Sequence, residues 1–163
     1  MKSRVAYFGV FTALALIFSY IETLIPFQIG IPGVKLGLAN LIIIVALYKM
    51  TLKEVYILSI VRVVLSGFIF GNLFGILYSL SGGLLSLTGM WILKKNEKFS
   101  ILGISVMGGV LHNIGQLIMA MMVLESISLF YYVPMLLIAG VVTGVVIGIV
   151  AREMLKRLVN LHI

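Results

Sequence analysis

Long apolar runs separated by short basic clusters set the pattern of this chain. The runs cover about residues 5–25, 36–48, 55–69, 73–93, 101–124 and 133–151. A helix needs about 20 residues to cross a bilayer, so runs this apolar predict membrane-spanning helices and leave no alternating strand pattern to explain. The first run stops at Pro26, and residues 26–35 form a loop with two prolines and two glycines. Its apolar content predicts that it folds back onto the membrane domain. Glycines and polar residues at 67–72, Lys49 and Lys53, residues 94–98 and residues 125–132 mark the other connections. The second and third runs are the short ones. The architecture predicted is all-α: a polytopic bundle of six transmembrane helices in one domain, 1–163.

Composition strengthens that reading. Hydrophobic residues make up 62% of 163 and charged residues 10%, and the mean hydropathy is +1.24. A soluble domain carries roughly 25% charged residues, so this chain could not cover its surface in water. The amino-terminal run is too long for the apolar core of a signal peptide, and further spans follow.

Charge then orients the bundle. With the amino terminus inside, Lys2, Arg4, Lys49, Lys53, Lys94, Lys95, Lys98, Arg152, Lys156 and Arg157 all fall on one side, ten of the twelve basic residues. That is the positive-inside pattern, and it places both termini in the cytoplasm. The net charge of +7 therefore reads as topology, not as a nucleic-acid footprint. The exceptions are Lys35 and Arg62.

Small residues supply the packing signals. Gly140, Gly144 and Gly148 recur every fourth residue on one face of the sixth run, and the first run has two such pairs, Gly9 with Ala13 and Ala15 with Ser19. Lipid tails offer no hydrophobic driving force between helices, so such residues mark close backbone approach. Packing within the chain is the first reading, and a partner-facing surface the second.

The polar residues within the runs are the candidate chemistry. An ionisable group at the bilayer centre costs at least ~2.5 kcal/mol on insertion scales, so it is a functional candidate by default. Arg62 interrupts the third run. Lys35 stands at the outer mouth of the second, with Asn40 just over a turn further in. His112, Asn113 and Gln116 cluster in the fifth run at spacings that bring them close on a helix. Glu22 lies near the outer end of the first run, where Lys35 or Arg62 could pair with it. Tyr20, Tyr78, Tyr131 and Tyr132 are available as aromatic walls. Two cations, several amides and aromatic surface suit a small anionic ligand with an apolar part. No ring of one repeated group suggests a channel. No metal site is expected, because the chain has no cysteine, no aspartate and only two histidines, His112 and His162. No cofactor is expected either.

Several blocks resemble a known bacterial membrane family, called both Gx transporter and heptaprenyl diphosphate synthase component I. They are Ser19 to Glu22, Pro32 to Asn40, Val61 to Val63, Gly75 to Ser86 and His112 to Gln116. The family is similar in turn to the substrate-binding S components of energy-coupling factor (ECF) transporters. The resemblance implies a multi-pass protein of the bacterial cell membrane. It implies ligand held near the outer face beneath the loop after the first helix, by Glu22, Lys35, Asn40, Arg62, Tyr78, His112, Asn113 and Gln116. It also implies a coupling protein and two ATPases as partners. Their contact on the first helix would be an alanine-x-x-x-alanine-type face, for which the nearest matches are Gly9 with Ala13 and Ala15 with Ser19.

The function expected on this basis is a substrate-capture subunit of a micronutrient importer, taking a vitamin, quinone or isoprenoid precursor. The alternative is a non-catalytic membrane subunit of heptaprenyl diphosphate synthase, partnered by a soluble synthase chain. A third reading is a structural protein whose polar residues only join helices. Prenyl elongation needs carboxylates to hold magnesium against a diphosphate, and ATP-driven transport needs a P-loop. This chain has no aspartate and no P-loop, so no catalytic residue is assigned.

Overall fold

The structure, a computed structural model, describes residues 2–25 and 37–158. Six α-helices follow in order: α1 (Lys2–Leu24), α2 (Asn40–Lys49), α3 (Leu52–Phe70), α4 (Leu73–Lys95), α5 (Ile101–Val123) and α6 (Val133–Arg157). A short 3₁₀ segment, Ile127–Tyr132, joins the last two. The fold is the helical membrane bundle that the hydropathy pattern predicts. α1, α4, α5 and the stretch ending in α6 are long and apolar enough to cross a membrane.

The helix ends follow local chemistry. Thr51 and Glu54 form a reciprocal capping box at the start of α3, which satisfies backbone donors that no helical carbonyl reaches. The Asn72 side chain accepts from Gly75 N (2.7 Å) at the start of α4, and Ser100 accepts from Gly103 N (3.2 Å) at the start of α5. α3 runs on to Phe70, so the turn expected over 67–72 shrinks to Gly71 and Asn72.

The second span differs most from expectation. α2 has 10 residues, about 15 Å of helix against a hydrocarbon core of about 30 Å. It crosses only half the membrane. Its residues from Asn40 to Leu47 are all buried, because it packs against each of the other five helices. In packing order α1, α3, α4, α5 and α6 form an arc around it. Among the described residues α1 and α6 make no helix-to-helix contact, so the arc is open along one seam.

Glycines weld the second half of the bundle. A Cβ on Gly115 would lie 2.8 Å from the Gly82 Cα. One on Gly144 would lie 2.6 Å from the Val106 Cα, and one on Gly140 would lie 2.9 Å from the Gly109 carbonyl. The Gly140, Gly144 and Gly148 stripe is therefore spent against α5, inside the chain. In α1, Ala15 and Ser19 are buried, while Gly9 and Ala13 face outward.

Two apolar cores result. The larger lies in the half that carries the basic helix ends and gathers Leu41 to Leu47 of α2 with Phe11, Leu58, Leu87, Ile104 and Ile147. The smaller, in the outer half, joins Tyr78, Leu117, Ala120 and Leu136. At the cytoplasmic end Lys49 Nζ donates to Leu158 O and Lys94 Nζ to Leu47 O, both at 2.5 Å.

Candidate functional site

Between the two cores lie buried polar residues: Ser19, Glu22, Asn40, Ser59, Arg62, Ser86, His112, Asn113 and Gln116. Their depth follows from helix rise. Asn40 is nine residues from Lys49, Arg62 ten from Leu52 and His112 eleven from Ile101. At 1.5 Å per residue each stands about 14–17 Å from the cytoplasmic helix ends, near the membrane midplane. Glu22, near the far end of α1 from Lys2, reaches this group from the opposite side.

The layer is organised around the start of α2. Gly37 has φ +83°, a left-handed conformation that suits glycine. The turn brings its N–H and that of Leu38 to the carboxylate of Glu22. Oε1 accepts from Gly37 N and from Leu38 N, the latter at 3.3 Å. The amino end of a helix carries partial positive charge, so an anion there is stabilised. Glu22 accordingly ties the outer end of α1 to the start of the half-helix.

His112 stands between two glycines. A Cβ on Gly37 would lie 3.2 Å from its Nε2, and one on Gly82 would lie 3.1 Å from its Nδ1. The same Gly37 Cβ would lie 2.8 Å from Asn40 Nδ2, and the Gly82 Cβ 2.8 Å from Gln116 Cγ. Glu22, Asn40, His112 and Gln116 are thus drawn together where α1, α2, α4 and α5 meet.

Arg62 completes the group from α3. It is 4% exposed. Its guanidinium lies beside Gly83, whose Cβ would stand 3.9 Å from Nη2. It interacts electrostatically with both Glu22 and His112. Yet its Nε and Nη2 have no hydrogen-bond partner among the described residues. Buried polar groups almost always find partners, and a charged group left without them costs more than a neutral one. Donors held in this state suit a bound acceptor.

Other candidates are placed differently. Asn113 donates from Nδ2 to Leu136 O (2.8 Å) and so joins α5 to α6. Tyr78 is buried one turn beyond Gly82 toward the outer core. Tyr131 is exposed and Tyr20 packs against Phe70 with ring centroids 4.9 Å apart, so neither walls the polar layer. Lys35 and the expected loop over 26–35 lie outside the described residues. Two contributors escape a reading of the sequence: Gly37 and Ser59. Ser59 could have been found from its spacing, one turn before Arg62 on α3. Gly37 carried no signal, since its role depends on the arrival of His112 from 75 residues away.

Fold and site together define a class: a helical membrane protein with a buried polar layer near its middle, ordered by a short central helix. Within that class the chain belongs to the heptaprenyl diphosphate synthase component I family, whose model matches residues 11–154. No curated protein and no solved structure matches the chain.

Proposed function

We propose that the protein is a membrane subunit that binds rather than catalyses. It holds an anionic isoprenoid or quinone precursor at the polar layer and acts beside a separate, soluble prenyl diphosphate synthase chain. The observation that carries the binding role is Arg62, a buried cation at the midplane whose Nε and Nη2 lack partners among the described residues. Membership of the component I family supports the choice of partner. The composition supports the division of labour: with no aspartate, the chain has no means of building the carboxylate-rich magnesium site that elongation requires. Glu22, Asn40, His112 and Gln116 orient the ligand around Arg62. Lys35 and Tyr78 are retained as contributors from the outer side. The outward-facing Gly9 and Ala13 form the contact for a membrane-embedded partner, and the setting is a bacterial cell membrane.

The test is co-purification with an aspartate-rich soluble synthase expressed from the same cells, followed by analysis of product length. Association, and loss of long-chain product when this chain is removed, are expected. A synthase that makes full-length product alone sinks the proposal.

A second reading, a ligand-capture subunit of an importer, is favoured by α2. In many transporters discontinuous helices start near the midplane and point their amino ends at anionic substrate groups. Here the α2 start receives Glu22. Ligand accumulation in vesicles that depends on added ATPases would favour this reading over the first.

A further inference from the structure

The connection between α5 and α6 carries a surface that the polar layer does not use. Ile127–Tyr132 is a 3₁₀ helix. Such a helix has three residues per turn, so residues three apart stack in straight ridges. Leu129 and Tyr132 form the inner ridge and pack against the small core that contains Tyr78. Ile127 and Phe130 form a second ridge, 85% and 63% exposed. Ser128 and Tyr131 form the third, with Tyr131 87% exposed.

The depth of this segment follows from α6. Arg152 is the first charged residue of that helix and marks the headgroup level at the basic end. From Ala151 back to Val133 the helix rises about 27 Å, close to the hydrocarbon thickness of about 30 Å. The 3₁₀ segment before Val133 therefore stands at the opposite headgroup level. Apolar residues exposed at that depth meet water unless something covers them.

Continuity and chemistry say what covers them. Phe130 continues at four-residue spacing into Pro134, Ile138 and Val142, the exposed apolar stripe of α6. That stripe faces lipid along the membrane-spanning part, and the ridge extends it to the surface. An aliphatic and aromatic edge beside a phenol suits the boundary between hydrocarbon and headgroups, where tyrosine is enriched. From Leu124 to Val133 the only charged residue is Glu125. An anionic headgroup finds no cation in this segment, unlike at the basic helix ends.

We propose that Ile127, Phe130 and Tyr131 form a membrane foot, seated in the lipid interface of the leaflet opposite the basic helix ends. Its contact is apolar and has no preference for anionic lipid. Lipid pressing on the outer ridge keeps the inner ridge of Leu129 and Tyr132 on the Tyr78 core. The inference is independent of what the polar layer binds.

The experiment is tryptophan fluorescence of the full chain in phosphatidylcholine vesicles. Phe130→Trp and Tyr131→Trp each exchange one exposed ring for another, so the core is not disturbed. Both are made with Trp91→Phe, which removes the only native indole. Expected is blue-shifted emission from Phe130→Trp. In both reporters, lipids brominated near the headgroup should quench about twofold more strongly than lipids brominated near the chain end, with or without phosphatidylglycerol. Emission at the wavelength of an indole in water, unquenched by either lipid, would overturn the proposal by leaving the ridge in solvent. Blue-shifted emission unquenched by either lipid would overturn it by covering the ridge with a second copy of this chain. Stronger quenching from the chain end would place the segment inside the hydrocarbon, and quenching only with phosphatidylglycerol would make the contact electrostatic; either overturns it.

Discussion

Replacing Arg62 with methionine separates a ligand group from a structural ion pair by the sign of the stability change. The guanidinium is buried, and its Nε and Nη2 have no partner among the described residues. An unsatisfied buried donor costs about 1–3 kcal/mol, so removing two relieves about 2–6 kcal/mol. Against this stands the attraction to Glu22. Breaking a buried ion pair costs about 3–5 kcal/mol when the remaining charge is left uncompensated. Here it is not: the Glu22 carboxylate keeps the N–H groups of Gly37 and Leu38 at the amino end of α2. The relief should win. Replacing a whole buried ion pair by apolar residues is neutral to stabilising by about 1–4 kcal/mol, and with Glu22 still held at the start of α2 the single replacement should fall at the low end of that range. For a chain of this size that raises Tm by up to several degrees. The assay is thermal unfolding in detergent micelles, with and without ligand. Arg62→Met should melt at or above the parent without ligand and lose the ligand-induced shift. Two charge-assisted hydrogen bonds to a ligand contribute about 3 kcal/mol or more, a hundredfold in affinity. A fall in Tm equivalent to 3–5 kcal/mol without ligand would refute the reasoning and make Arg62 a structural cation.

Other outcomes follow from the same geometry. Gly37→Ala should lower ligand affinity and destabilise the chain by about 1–3 kcal/mol, because its Cβ would press on Asn40 and His112 at a positive φ; unchanged binding would show that the turn does not shape the site. Asn113→Leu should cost only about 0.6 kcal/mol, the usual worth of an interhelical hydrogen bond in a membrane, and leave ligand binding intact, since its amide is engaged with Leu136. Gly115→Val should be far more damaging, with loss of folded protein on size exclusion, because the α4 backbone occupies the space a side chain needs. At the cytoplasmic end of α3, ahead of its membrane-spanning part, hydrogen bonds from Thr51 hold the Glu54 carboxyl below its ordinary range. A depressed carboxyl stabilises the fold above its unfolded pKa and loses that contribution as pH falls through the folded value. The melting temperature of the parent should therefore drop more steeply on acidification than that of Glu54→Gln, and parallel profiles would remove the capping box from the account.

How much of this was legible in advance depends on whether local chemistry or distant packing decided each feature. Helix number and most boundaries came from hydropathy and from the basic clusters at Lys49, Lys94 and Arg152, because the bilayer acts on each segment separately. Arg62, Asn40 and His112 stood out because a polar side chain in an apolar run is anomalous wherever the run packs. The second run was already short at residues 36–48, but where its helix begins was not legible, and only the turn at Gly37 shows it starting at Asn40. Nor could the sequence separate His112 from Asn113, which are adjacent in the chain but packed apart, one between Gly37 and Gly82 and the other against α6. The division is physical. A chain's partition between water and lipid is a sum over its own residues, whereas a binding layer exists only where five helices bring side chains to one depth, and the glycine contacts that set those distances lie far apart in sequence.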